Sequence, residues 1–110
     1  MRTAVRRPIL QRCFVLPLNT EPAQAWRCIA YNISATGIGV TLPRQLPVRG
    51  VLTVHAWNLP RARPLQVRIA QIKQVGLLWF AGCELVKRLT DAELQIWCSG
   101  PSDWPEKEKR

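Results

Sequence analysis

Apolar and polar positions change phase at short intervals along this chain, and the short period predicts strands rather than helices. Cys13 to Asn19 is rich in apolar, β-forming residues and reads as a first strand, closed by the polar link Thr20-Glu21-Pro22. From Ala25 to Ile33 the pattern alternates. Trp26, Cys28 and Ala30 share one side, and Arg27, Ile29 and Tyr31 the other. After the turn Asn32-Ile33-Ser34-Ala35-Thr36-Gly37, a third strand places Ile38, Val40 and Leu42 opposite Gly39 and Thr41, and Pro43 and Pro47 end it. Val51 to Trp57 is a fourth short run, and the proline- and arginine-containing stretch Asn58 to Pro64 reads as an exposed hairpin loop. Leu65, Val67 and Ile69 alternate with Gln66 and Arg68, but the next apolar residue, Ile72, is out of phase. One extra residue resets which face follows, so a β-bulge is expected near Ala70. Gly76 separates this strand from Leu77 to Leu85, a continuous apolar run of the kind a buried strand shows, with Gly82 in its interior.

The period lengthens only near the C-terminus. Thr90-Asp91-Ala92-Glu93 fits a capping box, in which Thr90 and Glu93 satisfy each other's free backbone N–H groups, and Leu89 and Leu94 stand at staple positions. A short helix to about Cys98 follows, with Leu94 and Trp97 on one face and Gly100-Pro101 as its stop. Six strands and one terminal helix point to a mostly β domain, a small six-stranded antiparallel β-barrel. The expected organisation is a loosely structured basic arm over 1–12, the barrel and its helix over 13–100, and a charged, disordered tail over 101–110.

Charge adds a partner class. The chain of 110 residues carries a formal charge of +9, and Glu21 is the only carboxylate before Glu84. A body so basic attracts anions: nucleic acid, phosphorylated small molecules, acidic lipid or an acidic protein. No segment approaches the roughly 20 apolar residues that span a bilayer, and the N-terminus lacks the apolar run of a signal peptide, so a cytoplasmic location is expected. Cys13, Cys28, Cys83 and Cys98 are far apart with no Cys-x-x-Cys pair, which favours buried free thiols over a metal site. His55 is the single histidine, carboxylates are too sparse for paired acid–base work, and no glycine-rich phosphate loop is present. The chain is therefore expected to bind rather than catalyse, with no cofactor.

The turn from Asn32 to Gly37 is where binding chemistry concentrates. A short polar residue, a hydroxyl and a glycine let the backbone turn tightly and approach a ligand, although the same residues also suit a plain turn held by side-chain-to-backbone hydrogen bonds. Upstream stand Arg2, Arg6, Arg7 and Arg12. Arg-x-x-x-Arg (Arg2, Arg6), Asn-x-Ser-x-x-Gly (Asn32, Ser34, Gly37) entering a strand, and Gly82-Cys83-Glu84-Leu85 before a terminal helix together resemble a PilZ domain over roughly residues 2 to 98. That resemblance implies a bacterial six-stranded barrel binding the second messenger cyclic di-GMP. Arg2, Arg6 and Arg7 would grip phosphate and guanine, while Asn32, Ser34 and Gly37 form the barrel side of the pocket. Two departures stand out: the strict arginine spacing leaves six residues before the predicted first strand, and Arg7 to Arg12 is better placed but one residue too long. Either register, Arg2/Arg6 or Arg7/Arg12, remains open. Guanidinium groups suit such a ligand because they bind phosphate oxygens in pairs and stack on purines.

The leading expectation is a receptor or adaptor that relays cyclic di-GMP to an unidentified protein effector. A degenerate barrel that only contacts protein is the alternative. A nucleic-acid-binding barrel is less favoured, because Trp26, Trp79 and Trp97 fall at core-like positions and leave few aromatics for base stacking.

Overall fold

The computed structural model describes residues 5–18 and 24–99. Its strands are β1 (Arg7–Pro17), β2 (Trp26–Ile33), β3 (Gly37–Leu42), β4 (Val51–Ala56), β5 (Leu65–Val75) and β6 (Leu78–Leu85), followed by helix α1 (Asp91–Cys98). Every neighbouring pair is antiparallel, and the order β1-β2-β3-β6-β5-β4 closes into a barrel through the pairing of β1 with β4. Closure removes the free sheet edges that would otherwise invite pairing with another chain.

Alternation builds the core. Val15, Ala30, Ile38, Val40, Leu42, Val54, Val67, Ile69 and Ala81 point inward and are fully buried, while their neighbours along each strand face out. One barrel end is stoppered by α1, whose Leu94 and Trp97 join the core together with Leu89. The capping box forms as expected: the Thr90 hydroxyl accepts from Glu93 N, and Glu93 Oε1 accepts from Thr90 N. Leu89 N donates to Ala35 O at 2.8 Å, and Arg63 from the β4–β5 loop pairs with Glu93, so two loops hold the helix in place.

The bulge near Ala70 is present as a register shift between Ile69 and Gln71. Other expectations need correction. The first strand starts at Arg7, not Cys13, so residues 7–12 belong to β1 rather than to a loose arm. A register shift between Pro8 and Gln11 breaks the alternation there, which hides the strand from a period-2 reading. The last strand starts at Leu78, not Leu77, and is not buried throughout: Leu78 is 43% exposed, and Leu77 in the turn before it 92%. Leu42, the last residue of β3, lies opposite Trp79, so the β5–β6 hairpin runs past β3 and its apolar tip projects. Of the tryptophans expected in the core, Trp97 is buried, whereas Trp26 and Trp79 are half-buried against it. Arg2, the link over 20–22, the helix stop at Gly100-Pro101 and the tail over 101–110 lie outside the described residues.

The cysteines carry free thiols, with Cys13, Cys28 and Cys83 buried. Cys13 stands directly opposite Cys28 across β1 and β2, and its thiol is pushed up by the Cys28 side chain and then by burial. Burial pushes the Cys83 thiol up to about 12. Both therefore act as inert core residues. Among the described residues no His, Cys, Asp and Glu side chains group as a metal site, and no helix is long and apolar enough to cross a membrane.

Candidate functional site

The turn between β2 and β3 is held from within. Ser34 is 1% exposed, and its Oγ accepts from Gly37 N at 3.1 Å and from Thr36 N at 3.2 Å. Ser34 N also donates to Gly37 O at 2.8 Å. The hydroxyl thus fixes the turn, a role its burial makes plain, and the residues that face outward are Asn32 and the bare backbone of Gly37.

A second irregularity decides what surrounds them. The β2–β3 register slips between Ala30 and Asn32, so Tyr31 and Asn32 both lie on the outer face instead of alternating. A Cβ on Gly39 would come within 2.7 Å of the Tyr31 ring and 2.8 Å of Asn32 Oδ1, which shows both side chains lying flat over that glycine. Tyr31 also packs on Phe80 of β6, with ring centroids 5.3 Å apart. Its phenol is raised above the ordinary tyrosine value by burial first and by the nearby Cys83 thiol second, with Arg6 opposing.

Arg6, immediately before β1, completes the arrangement. Its Nη1 donates to Asn32 Oδ1 at 2.6 Å, and its guanidinium covers Gly37, where an added Cβ would lie 3.0 Å from Nη2 and 2.9 Å from the Cys83 carbonyl. The structure therefore brings together Arg6, Asn32 and Gly37, with Ser34 beneath them as the turn's support. Arg7 takes a different position. It pairs with Ile33, its side chain is exposed, and among the described residues the arginine bonded to Asn32 is Arg6, not Arg7. Arg12, opposite Ile29, lines a separate hollow of about 530 Å³ with Phe14, Arg27 and Trp57.

Sequence reasoning missed Tyr31, Gly39 and Glu84. Glu84 lies directly across from Gly37 on β6. A signal for Tyr31 was available: Tyr31 and Asn32 interrupt the alternation between Ala30 and Ile33, as an outward bulge would.

No family model and no curated protein matches the chain. Nine chains of solved structures do. Among them is the Bacillus subtilis inhibitor of motility MotI/DgrA, with a TM-score of 0.65 and 19% identity, over 88% of this chain and 48% of that one. This chain thus spans about half the length of that structure. The likeness is one of fold, and it agrees with a PilZ-like six-stranded barrel carrying a short C-terminal helix.

Proposed function

We propose that this chain is a cytoplasmic, non-enzymatic receptor domain that binds cyclic di-GMP through Arg6, Asn32 and Gly37 and relays its level to a protein effector. One observation carries the reading: the only arginine that fits both the Arg-x-x-x-Arg spacing and the described structure is laid over the Asn-x-Ser-x-x-Gly turn, bonded to Asn32 and touching Gly37. A guanidinium beside an amide, over a backbone with no Cβ, offers paired donors for a phosphate or a guanine edge and lets the ligand come close. Arg2, outside the described residues, is assigned to the same grip by the motif spacing. Ser34 contributes by shaping the turn.

Binding has a built-in consequence for shape. Arg6 and Asn32 satisfy each other, so a nucleotide must replace that bond and re-aim Arg6. Arg6 runs directly into β1, whose Phe14 packs edge-on against Trp57 at 5.3 Å on the outer surface. Ligand occupancy is thereby coupled to a strand that presents apolar surface to a partner. The inhibitor of motility with the similar fold supports motility machinery as the class of effector. The same Arg6–Asn32 bond also suits a barrel that has closed its site and acts only as a protein adaptor.

Titration calorimetry separates the two. Cyclic di-GMP is expected to give saturable heat with the wild type and to bind roughly tenfold more weakly to Arg6→Ala and Asn32→Ala, the usual scale for losing a hydrogen bond to a charged group. Absence of heat from the wild type at high micromolar concentration leaves the adaptor reading in its place.

A further inference from the structure

We propose that the ligand surface continues from Gly37 across β6 onto β5, where Arg68 and Arg49 form a second phosphate grip and Glu84 reads a guanine edge. The inference rests on the cyclic di-GMP reading above and extends it to residues outside the turn and the arm.

Strand register supplies the first observation. Gly37 pairs with Glu84, and Glu84 pairs in turn with Arg68, so the three stand in one row across β3, β6 and β5. Opposite residues share a face, and Glu84 and Arg68 are both exposed. Neighbouring strands lie about 4.8 Å apart, which puts the Arg68 Cα about 10 Å from that of Gly37. A ligand seated on Gly37 and wider than one nucleotide has room to lie over this row.

The second observation is a hollow of about 570 Å³ at the end of the row, lined by Val48, Arg49, Arg68, Ile69, Ala70 and Glu84. It is formed by a deliberate piece of backbone. Gly50 N donates to Pro47 O, Arg49 N to Ile69 O, and Ile69 N to Gly50 O, which ties the β3–β4 loop to β5 beside its bulge. Arg49 is held at φ 77°, a left-handed conformation that is uncommon for a residue with a side chain. Strain of this kind persists where the surroundings over-determine it, and it concentrates at ligand clamps. The result is two guanidinium groups around one hollow. Among the described residues, neither Arg49 nor Arg68 makes a side-chain hydrogen bond, and the ion pair formed is that of Arg63 with Glu93.

Ligand symmetry joins the two observations. A cyclic dinucleotide has two identical halves, each with a phosphate diester and a base. Around the turn, the described residues bring one guanidinium, that of Arg6, beside Asn32 and Gly37, a set that suits one half. The other half requires a second cation for its phosphate and an acceptor for the N–H donors of its guanine, and Arg68 with Arg49 and the Glu84 carboxylate supply both types. A carboxylate in the middle of a purely phosphate-binding surface would repel the ligand; opposite a guanine Watson–Crick edge it attracts. Glu84 would therefore favour guanine over adenine.

Calorimetric titration of cyclic di-GMP and cyclic di-AMP into the full chain and its variants tests this, with thermal melts as the control for folding. Arg68→Ala is expected to weaken cyclic di-GMP about tenfold with the melting temperature unchanged, since the side chain is exposed. Glu84→Ala is expected to erase most of the preference for cyclic di-GMP over cyclic di-AMP. If Arg6→Ala loses affinity while Arg68→Ala and Glu84→Ala bind as the wild type does, the extension is wrong and the primary site stands. If the wild type binds neither nucleotide, the cyclic di-GMP reading itself fails and the extension with it.

Discussion

Replacing Ser34 by alanine tests the turn on which the site is built. Its Oγ accepts from two backbone donors, Gly37 N at 3.1 Å in a buried setting and Thr36 N at 3.2 Å in a partly buried one. Alanine keeps the Cβ and removes the acceptor that both donors share. A buried N–H left without a partner costs about 1–3 kcal/mol. Gly37 N falls in the middle of that range, and the half-exposed Thr36 N, which water can reach, adds a few tenths. The sum is about 2 kcal/mol, a large part of the roughly 5–15 kcal/mol that holds a small domain together. For a domain of this size each 1 kcal/mol moves the midpoint by about 4–8 °C. Ser34→Ala is thus expected to melt about 10 °C lower by circular dichroism. Cyclic di-GMP affinity, measured well below both midpoints, should fall as well, because Asn32 and Gly37 are framed by the same turn. A midpoint within about 2 °C of the wild type would show that the hydroxyl does not hold the turn and would refute the reasoning.

Two further perturbations read other parts of the same structure. In Gly37→Ala the new Cβ meets the Cys83 carbonyl at 2.9 Å and Arg6 Nη2 at 3.0 Å; backbone cannot yield cheaply, so about 1–2 kcal/mol is lost to overpacking and Arg6 is displaced, which differential scanning calorimetry and ligand titration should both register. Glu93 is held down to about 2, chiefly by its hydrogen bond from Arg63 and next by the Thr90 backbone. A depressed carboxyl contributes stability that is complete above its unfolded value near 4.5 and is lost as pH falls toward 2. Melting temperature should therefore drop across that window in the wild type, and Glu93→Gln should flatten the drop; an identical acid profile in the two proteins would dismiss the helix-anchoring role of this pair.

The barrel could be read from alternation because most of its strands are half-buried, with inward Val, Ile and Leu separated by outward polar residues. The reading failed at two of the three register slips. At Pro8 to Gln11 the register slips, the period dissolves and Arg7 looks like part of a loose arm, although its backbone is already paired with Ile33. At Ala30 to Asn32 the slip turns Asn32 outward beside Tyr31, which no motif announces. Only Ala70 declared itself, since its strand is long enough for the phase on both sides to be compared. The site divides in the same way. Asn32, Ser34 and Gly37 are consecutive enough to be seen as a unit, whereas Glu84 and Arg68 join them only through pairing of distant strands, and that is decided by barrel closure rather than by local pattern.

The Arg6–Asn32 bond bears on how strongly the site can bind. This contact occupies the donors and the acceptor that the proposed nucleotide would use, so the binding-competent state would be the one in which it is broken. Arg6 is exposed, and for a solvent-accessible bond of this type the net stabilisation is about 1 kcal/mol. Opening then occurs in roughly one molecule in five or six, and apparent affinity falls by the same factor, since it scales with the competent fraction. A loss of that size is easily offset by charge-assisted bonds to phosphate. The same contact holds Arg6 close to the proposed ligand surface, which would reduce the ordering cost of recruiting a side chain from beyond the end of β1. On the proposed cyclic di-GMP reading, Arg6 would therefore work as a resident placeholder: its bond weak enough to be displaced by a dianionic ligand, and its position close enough that displacement would move the start of β1.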